Sequence, residues 1–329
     1  MSLINKTVII GGSGFVGTRL IDLLGKENCI NIDKAISLKH NEITRIFDIR
    51  NKNLETILPD NTDSVILLAA EHRDDVSPVS LYYDVNVEGT KNVLEALDKK
   101  GIRKVVFISS ASVYGLGKPK PDENYPLEPS SHYGKSKARA EKLLQAWQQI
   151  LPQNRSLTIV RPAVLFGEDN KGNVHNLLRQ IASGKFIMIG NGMNKKSMAY
   201  VGNATAFINF CINTNIVGER IFNYVDSPDL TMRELVNEVE KSIEKKLLPI
   251  RLPYWLGITG GIGFDLLSFI SGKNFAIKSI RIKKFCATTQ FNASKAHSTG
   301  FIAPFTLAEG LHLTLKNEFP EYFKKETDK

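Results

Sequence analysis

The chain has 329 residues, 42% of them hydrophobic and 23% charged, with a formal net charge of +9. This composition excludes a disordered chain, and the length allows a large core and two lobes. The basic balance suits an anionic partner, whether nucleic acid, membrane surface or phosphorylated substrate, without choosing among them. Cys29, Cys211 and Cys286 are far apart and form no C-x-x-C pair, so neither a disulfide framework nor a metal site is expected, and a reducing cytoplasm fits. With the first strand expected almost directly after the start, no secretory leader is expected.

The first strand is the β-branched run Thr7–Ile10. It passes through Gly11-Gly12-Ser13-Gly14-Phe15-Val16-Gly17 into a helix beginning near Thr18. In this strand–turn–helix order Gly11 permits the tight turn, Gly14 lets backbone approach a pyrophosphate, and Gly17 lets helix lie on strand. The helix N-terminus, including Phe15 and Val16, turns free N–H groups toward the phosphates. A second strand, Cys29–Asp33, ends in an acid 19 residues past Gly14. A carboxylate there accepts from adenosine ribose hydroxyls and repels a 2′-phosphate, which favours NAD over NADP.

Short strands at Ile43–Phe47, Val65–Leu68 and Lys104–Ile108 alternate with helical patterns. One such helix runs to about Lys99, with Val93, Leu94 and Leu97 on one face. Small residues Ala69 and Ala70 after the fourth strand leave room for a cofactor across the sheet edge. Further strands are expected at Ser156–Val160 and Ile221–Val225. The fold class is therefore α/β, a Rossmann-like doubly wound parallel sheet followed by a smaller, mainly helical C-terminal substrate lobe. Residues 1–167, with a returning segment at about 203–228, form the NAD-binding domain. Residues 168–202 and 229–329 form the substrate lobe, where Leu230–Glu244 reads as a helix capped by Thr231 and Glu234.

Ser110 stands at the end of the fifth strand, and Tyr133 and Lys137 lie at i and i+4 on one helix face. A lysine beside a phenol lowers the tyrosine pKa toward working pH, and a serine hydroxyl can hold the substrate oxygen whose proton the tyrosine takes.

These motifs carry a resemblance to the extended short-chain dehydrogenase/reductases, in particular the NAD-dependent sugar epimerases and dehydratases. The match runs through Gly11-x-x-Gly14-x-x-Gly17, Asp48-Ile49, Leu68-Ala69-Ala70, Asn86-Val87-x-Gly89-Thr90, Ser110–Gly115, Tyr133-x-x-x-Lys137 and Arg161-Pro162. The resemblance implies that Asp48 and Ile49 sit at the adenine, that Leu68, Ala69, Ala70 and Pro162 border the cofactor, that Asn86 supports the lysine side, and that Ser110, Tyr133 and Lys137 are catalytic. Leu67–Pro78, Lys196–Asn203 and Lys283–Phe291 further resemble the bacterial N-acetylglucosaminyl-diphospho-undecaprenol 4-epimerases of O-antigen (lipopolysaccharide) synthesis. That implies interconversion of GlcNAc and GalNAc on undecaprenyl diphosphate, with NAD tightly bound and recycled, and a homodimer through helices near Val87–Lys99 and Lys135–Gln149.

Two departures weaken the nucleotide-sugar alternative, a UDP-N-acetylglucosamine 4-epimerase. Val164 stands where nucleotide-sugar enzymes carry asparagine, and Asn194-Lys195-Lys196-Ser197 replaces Gln-x-Arg-Asp. Ala111-Ser112 in place of Asp-Glu counts against a dehydratase, and the intact Tyr-Lys pair counts against a non-catalytic NAD-binding scaffold. His72, Arg73 and Lys196 are candidates for the substrate diphosphate, and Ser112 is a further candidate substrate contact. Leu252–Ile270 is apolar but for Asp265, and between Lys245 and Lys284 eight Lys or Arg stand against that single acid. Trp255, Ile258, Ile262, Leu266 and Phe269 recur at helical spacing, with Tyr254 and Trp255 of the headgroup-level type. This apolar and basic stretch is expected to lie on the cytoplasmic face of an inner membrane, with a buried helical hairpin as its alternative; nucleic acid is not an expected partner.

Overall fold

The computed structural model describes residues 6–73, 75–214, 216–247, 250–271 and 279–323. The chain forms two compact units: Met1–Leu165, Val201–Val225 and Phe291–Pro304 make the first, and Phe166–Tyr200, Asp226–Gln290 and Phe305–Lys329 the second. The expected boundaries differ from these by two or three residues, with one exception. Phe291–Pro304 belongs to the first unit, not to the substrate lobe. Asn292 donates its N–H to the Pro121 carbonyl (3.0 Å) and accepts from Asn223 Nδ2 (2.9 Å), and the Phe291 ring lies 5.9 Å from that of Tyr114. A segment this short, without hydrophobic periodicity, carries no sequence signal for that docking.

The first unit is a seven-stranded parallel sheet. Its strands are β1 (Lys6–Ile10), β2 (Cys29–Asp33), β3 (Thr44–Ile46), β4 (Thr62–Leu67), β5 (Lys104–Ile108), β6 (Ser156–Pro162) and β7 (Gly218–Tyr224), in the spatial order β7-β6-β5-β4-β1-β2-β3. The order reverses between β1 and β4, and in open parallel sheets that switch point is where ligands bind. The helices α1 (Phe15–Leu24), α2 (Gly89–Lys100), α3 (His132–Ile150) and α4 (Val201–Asn213) cover the sheet. Val8, Ile10, Val65, Leu67, Val105 and Phe107 form one face of the core with Val93, Leu94 and Leu97 of α2 and Leu144 and Trp147 of α3. Ile9, Ile66 and Val106 alternate to the opposite face and are equally buried. The residues before α2 are not a plain loop. Ser80–Tyr83 is a helical turn, and Asp84–Glu88 is a single π turn leading directly into α2.

In the second unit α5 (Met232–Ser242) begins at Thr231, with the expected capping box to Glu234. Two further helices follow, α6 (Tyr254–Ser271) and α7 (Ser279–Cys286). Asp265, the lone acid of the apolar stretch, accepts from the N–H (3.3 Å) and hydroxyl (2.6 Å) of Ser279 and so caps α7. A Cβ at Gly261 would lie 2.8 Å from Ser279 Cα, so glycine permits the close crossing of these helices. No helix among the described residues is long and apolar enough to cross a membrane. Of the expected basic residues, Lys273 and Lys278 lie outside the described residues, as do the Leu266 and Phe269 side chains.

Candidate active site

The glycine turn is built from β1 outward. Gly11 has φ of +92°, and a Cβ there would lie 2.4 Å from Ala69 N. Side chains are thus excluded where the turn presses on the segment after β4, whose Leu68 and Ala69 N–H groups both donate to the Ile10 carbonyl at 2.8 Å. A Cβ at Gly17 would lie 2.4 Å from Gly12 Cα, so the first turn of α1 touches the loop backbone directly. Gly14 is different. A Cβ there would meet only the Gly11 carbonyl, at 3.6 Å. The protein leaves the space over Gly14 open, in front of the α1 N-terminus, which is the space a pyrophosphate needs.

Asp33 ends β2 beside the glycine turn. Its Oδ2 accepts from Ser13 N–H (3.0 Å) and its Oδ1 from Ala35 N–H (3.1 Å), which fixes the carboxylate and leaves each oxygen a further lone pair for a ribose hydroxyl. Sequence reasoning missed Asn31. This fully buried side chain accepts from Gly12 N–H (2.9 Å) and donates to the hydroxyls of Ser13 (2.9 Å) and Thr44 (3.0 Å), bracing the turn from beneath. An amide at an inward position of a buried strand was the available signal. Asp48 is gripped by the Arg50 side chain, which holds its carboxyl below the usual range. Ile49 is buried and its carbonyl accepts from Asn92 Nδ2 (2.9 Å). Pro162 ends β6 beside Tyr224 of β7. The open cradle over Gly14, with the fixed Asp33 at its side, fits a dinucleotide.

The reacting groups gather at the end of β5. Ser110 caps the short helical turn after β5, accepting from Ser112 N–H at 3.1 Å, and its hydroxyl hydrogen-bonds the Tyr133 phenol. The N-terminus of α3 is fixed by Ser131, which accepts from Gly134 N–H at 3.0 Å. Tyr133 therefore sits on the first turn of α3 and Lys137 one turn further in. Lys137 is buried, donates to the Ile108 carbonyl at 2.5 Å and lies 4.2 Å over the Phe107 ring. Asn86, in the π turn, locks this side. It accepts from Glu71 N–H (2.7 Å) and donates to the Glu71 carbonyl (2.9 Å) and to Ser136 Oγ (2.8 Å), the neighbour of Lys137.

One electrostatic expectation is corrected. Burial pushes the Tyr133 phenol up to about 12, only partly offset by the Ser110 hydrogen bond, while burial pushes Lys137 down to about 7 against the opposing pull of Glu141. In the chain by itself the ammonium is aimed at the Ile108 carbonyl and the Phe107 ring, and it does not draw the phenol toward neutral pH.

Beneath the pair runs a buried network that sequence reasoning also missed. Glu141, one turn beyond Lys137, is fully buried, takes the Ser109 hydroxyl, and pairs with Arg161 through Nε (3.0 Å) and Nη2 (2.7 Å). Arg161 Nη1 donates to the Tyr114 hydroxyl at 2.8 Å, which in turn donates to Asn223 Oδ1 at 2.7 Å. The i+4 spacing from Lys137 to Glu141 was the signal.

The candidate substrate contacts separate. The Ser112 hydroxyl is buried beside Ser110 and has no hydrogen-bond partner among the described residues. Arg73 and His72 are exposed, and Arg73 pairs with the buried Glu71 at 3.1 Å. Lys196 belongs to the second unit and is a strut. Its ammonium donates to the carbonyls of Lys284 (3.0 Å) and Ala287 (2.6 Å) and to Thr289 Oγ1 (3.3 Å), so the expected phosphate contact has no donor left over.

Residues 7–224 match the model of the NAD dependent epimerase/dehydratase family. Over 316 residues the chain is 55% identical to the N-acetyl-alpha-D-glucosaminyl-diphospho-ditrans,octacis-undecaprenol 4-epimerase of Escherichia coli O157:H7, covering 96% of each protein. It is 29% identical to the UDP-glucose 4-epimerase of Vibrio cholerae, over 94% of each. Among solved structures it is similar to MoeE5 in complex with UDP-glucose and NAD, with a TM-score of 0.75 and 21% identity over 96% of this chain and 99% of that one, a likeness of fold.

Proposed function

Because the chain belongs to the NAD-dependent epimerase/dehydratase family, we propose that it inverts C4 of N-acetylglucosamine while the sugar is joined to undecaprenyl diphosphate, giving the N-acetylgalactosamine form for O-antigen assembly. The observation that carries this reading is the 55% identity along 96% of both chains to a relative named for that reaction.

The cradle at Gly11–Gly17, Asp33 and the Asn86-braced Lys137 would hold NAD, which when bound supplies the acceptor, and later the donor, of the C4 hydride. Ser110 holds the sugar O4 against the Tyr133 phenol. Tyr133 reacts as the phenolate: it takes the O4 proton as the C4–H bond breaks and, now the neutral phenol, returns that proton when the opposite face of the 4-keto sugar has been reduced. Lys137 would bind the nicotinamide ribose of bound NAD. The cofactor ends as it began, so it stays bound through turnover.

We place the enzyme on the cytoplasmic face of the membrane that carries its substrate, and as a homodimer through α2 and α3. The membrane reading is supported by the exposed Tyr254, Trp255, Leu256 and Ile262 of α6 beside the exposed Lys245, Lys246, Arg251, Lys283 and Lys284. Changing Tyr133 to Phe tests the chemistry. Turnover is expected to fall about 100- to 10,000-fold, the usual worth of a positioned acid–base group, with NAD retained by the purified protein. Turnover near the unmodified rate would remove Tyr133 from its role.

A further inference from the structure

We propose that an open pocket of about 730 Å³ in the second unit binds the diphosphate end of a prenyl diphosphate, with two cations on the phosphates and an apolar wall along the first isoprenoid units. The inference rests on the lipid-linked reading and gives it a place on the molecule.

The pocket is built between two short strands and α7. Ile187–Ile189 pairs in parallel with Ile250–Leu252, and Gly190 N–H donates to the Leu252 carbonyl at 2.8 Å, closing the strand ends together. On the other side α7 presents Lys283, Cys286 and Ala287. This side is fixed: Cys286 Sγ lies 3.6 Å from the Ile189 carbonyl, Asn194 Nδ2 donates to the Phe285 carbonyl (3.0 Å), and Lys196 ties the last turn of α7 to its own strand. The role of Lys196 is thus to set the wall, not to meet the ligand.

The lining chemistry selects the ligand class. Arg251 and Lys283 are both exposed at the pocket, and no carboxylate lines it among the described residues. An anion is the natural complement, with Arg251 able to bind a phosphate through two parallel N–H groups and Lys283 as a point charge. The volume lies within the usual range for a small-molecule site, roughly 300–1,000 Å³. A nucleobase would need convergent donors and acceptors. The two amides of the lining are each committed in part to the protein, Asn194 Nδ2 to the Phe285 carbonyl (3.0 Å) and Asn191 Oδ1 to the Met193 N–H (3.0 Å). Beside the two cations and these amides the side chains of the lining are mostly apolar: Ile189, Leu252, Pro253 and the Tyr254 ring. The apolar surface continues outward through exposed Ile187, Ile250 and Trp255, which suits a chain that goes on beyond the pocket mouth.

Isothermal titration of the full chain with farnesyl diphosphate, inorganic pyrophosphate and farnesol tests the assignment. Saturable binding of farnesyl diphosphate is expected, at least tenfold tighter than either pyrophosphate or farnesol. The double variant Arg251→Ala/Lys283→Ala should bind it at least tenfold more weakly, and Arg251→Lys/Lys283→Arg should recover most of the loss. Both side chains are exposed, so folding is not at stake. Equal binding of pyrophosphate would make this an anion site without lipid preference and overturn the proposal, as would unchanged affinity in the double variant. Epimerisation of GlcNAc-diphospho-undecaprenol separates the two levels. If the unmodified chain turns it over and the double variant shows the same KM, the pocket assignment fails while the function stands. If the unmodified chain does not turn it over, the functional reading itself fails, whatever farnesyl diphosphate does.

Discussion

At Lys137 two requirements oppose each other. The proposed chemistry wants a cation next to the nicotinamide ribose, and the fold buries that cation among Phe107, the Ile108 carbonyl and the body of α3. Burial lowers its pKa to about 7, so the folded chain holds a neutral amine over a range where the unfolded chain is charged. Between pH 7 and about 10.4, the unperturbed lysine value, the unfolded state binds more protons, so stability rises with pH through this window. Below pH 7 the folded state carries the whole penalty of the buried charge, on the order of a few kcal/mol. Lys137→Met should therefore stabilise the cofactor-free chain while abolishing turnover. The gain in Tm should be largest below pH 7 and shrink as the pH approaches 10. A gain independent of pH, or a loss at pH 6, would show that the lysine is not held as a strained cation. This strain was not legible in the sequence, which shows the Tyr133–Lys137 spacing but not the direction of the ammonium. The same holds for Asn31 and Glu141: their types are visible, but their role emerges only when strands and helices far apart in the chain meet.

At the level of elements, the glycine turn makes a prediction that separates folding from binding. Gly14→Ala adds a methyl where the protein has room, so stability should change by less than about 0.5 kcal/mol. Gly17→Ala drives a methyl into the Gly12 backbone and should destabilise the chain by about 1–3 kcal/mol, the usual range for overpacking. Both should weaken NAD, the first by blocking phosphate approach and the second by displacing α1. Chemical denaturation and NAD titration on the two variants check this. A Gly14→Ala chain that binds NAD normally would move the pyrophosphate elsewhere. The turn was readable because steric demands on glycine are local and leave a fixed spacing. The same locality made the α5 capping box at Thr231 and Glu234 readable. The docking of Phe291–Pro304 and the capping of α7 by Asp265 were not, because each depends on a partner far away in sequence. In the sequence Asp265 is only an interruption of an apolar run; in the fold it satisfies the start of the next helix.

For the molecule as a whole, the basic excess and the exposed aromatic start of α6 bear on where the enzyme works. If that surface meets an anionic bilayer, each nearby Lys or Arg contributes on the order of 1 kcal/mol, weakened by salt. Sedimentation with vesicles containing phosphatidylglycerol should capture the chain at low ionic strength and release it at high, whereas phosphatidylcholine vesicles should not. Trp255→Asp with Lys284→Glu should abolish capture without affecting NAD content. Capture that ignores both lipid charge and salt would contradict the docking. The parallel α/β fold class and the family were legible because the motifs run in order through most of the chain; the spatial order of the strands was not, and the substrate was less so, since it is chosen by side chains whose neighbours the sequence does not show.

The measurement that bears most directly on the proposed function is a paired assay with one preparation of the unmodified chain, offered GlcNAc-diphospho-undecaprenol in one vessel and UDP-GlcNAc in another. Sugars are released by mild acid and separated by chromatography. Accumulation of GalNAc from the lipid-linked substrate, with little or none from the nucleotide sugar, is the predicted result. GalNAc formed from UDP-GlcNAc while the lipid-linked sugar stays unchanged would contradict it.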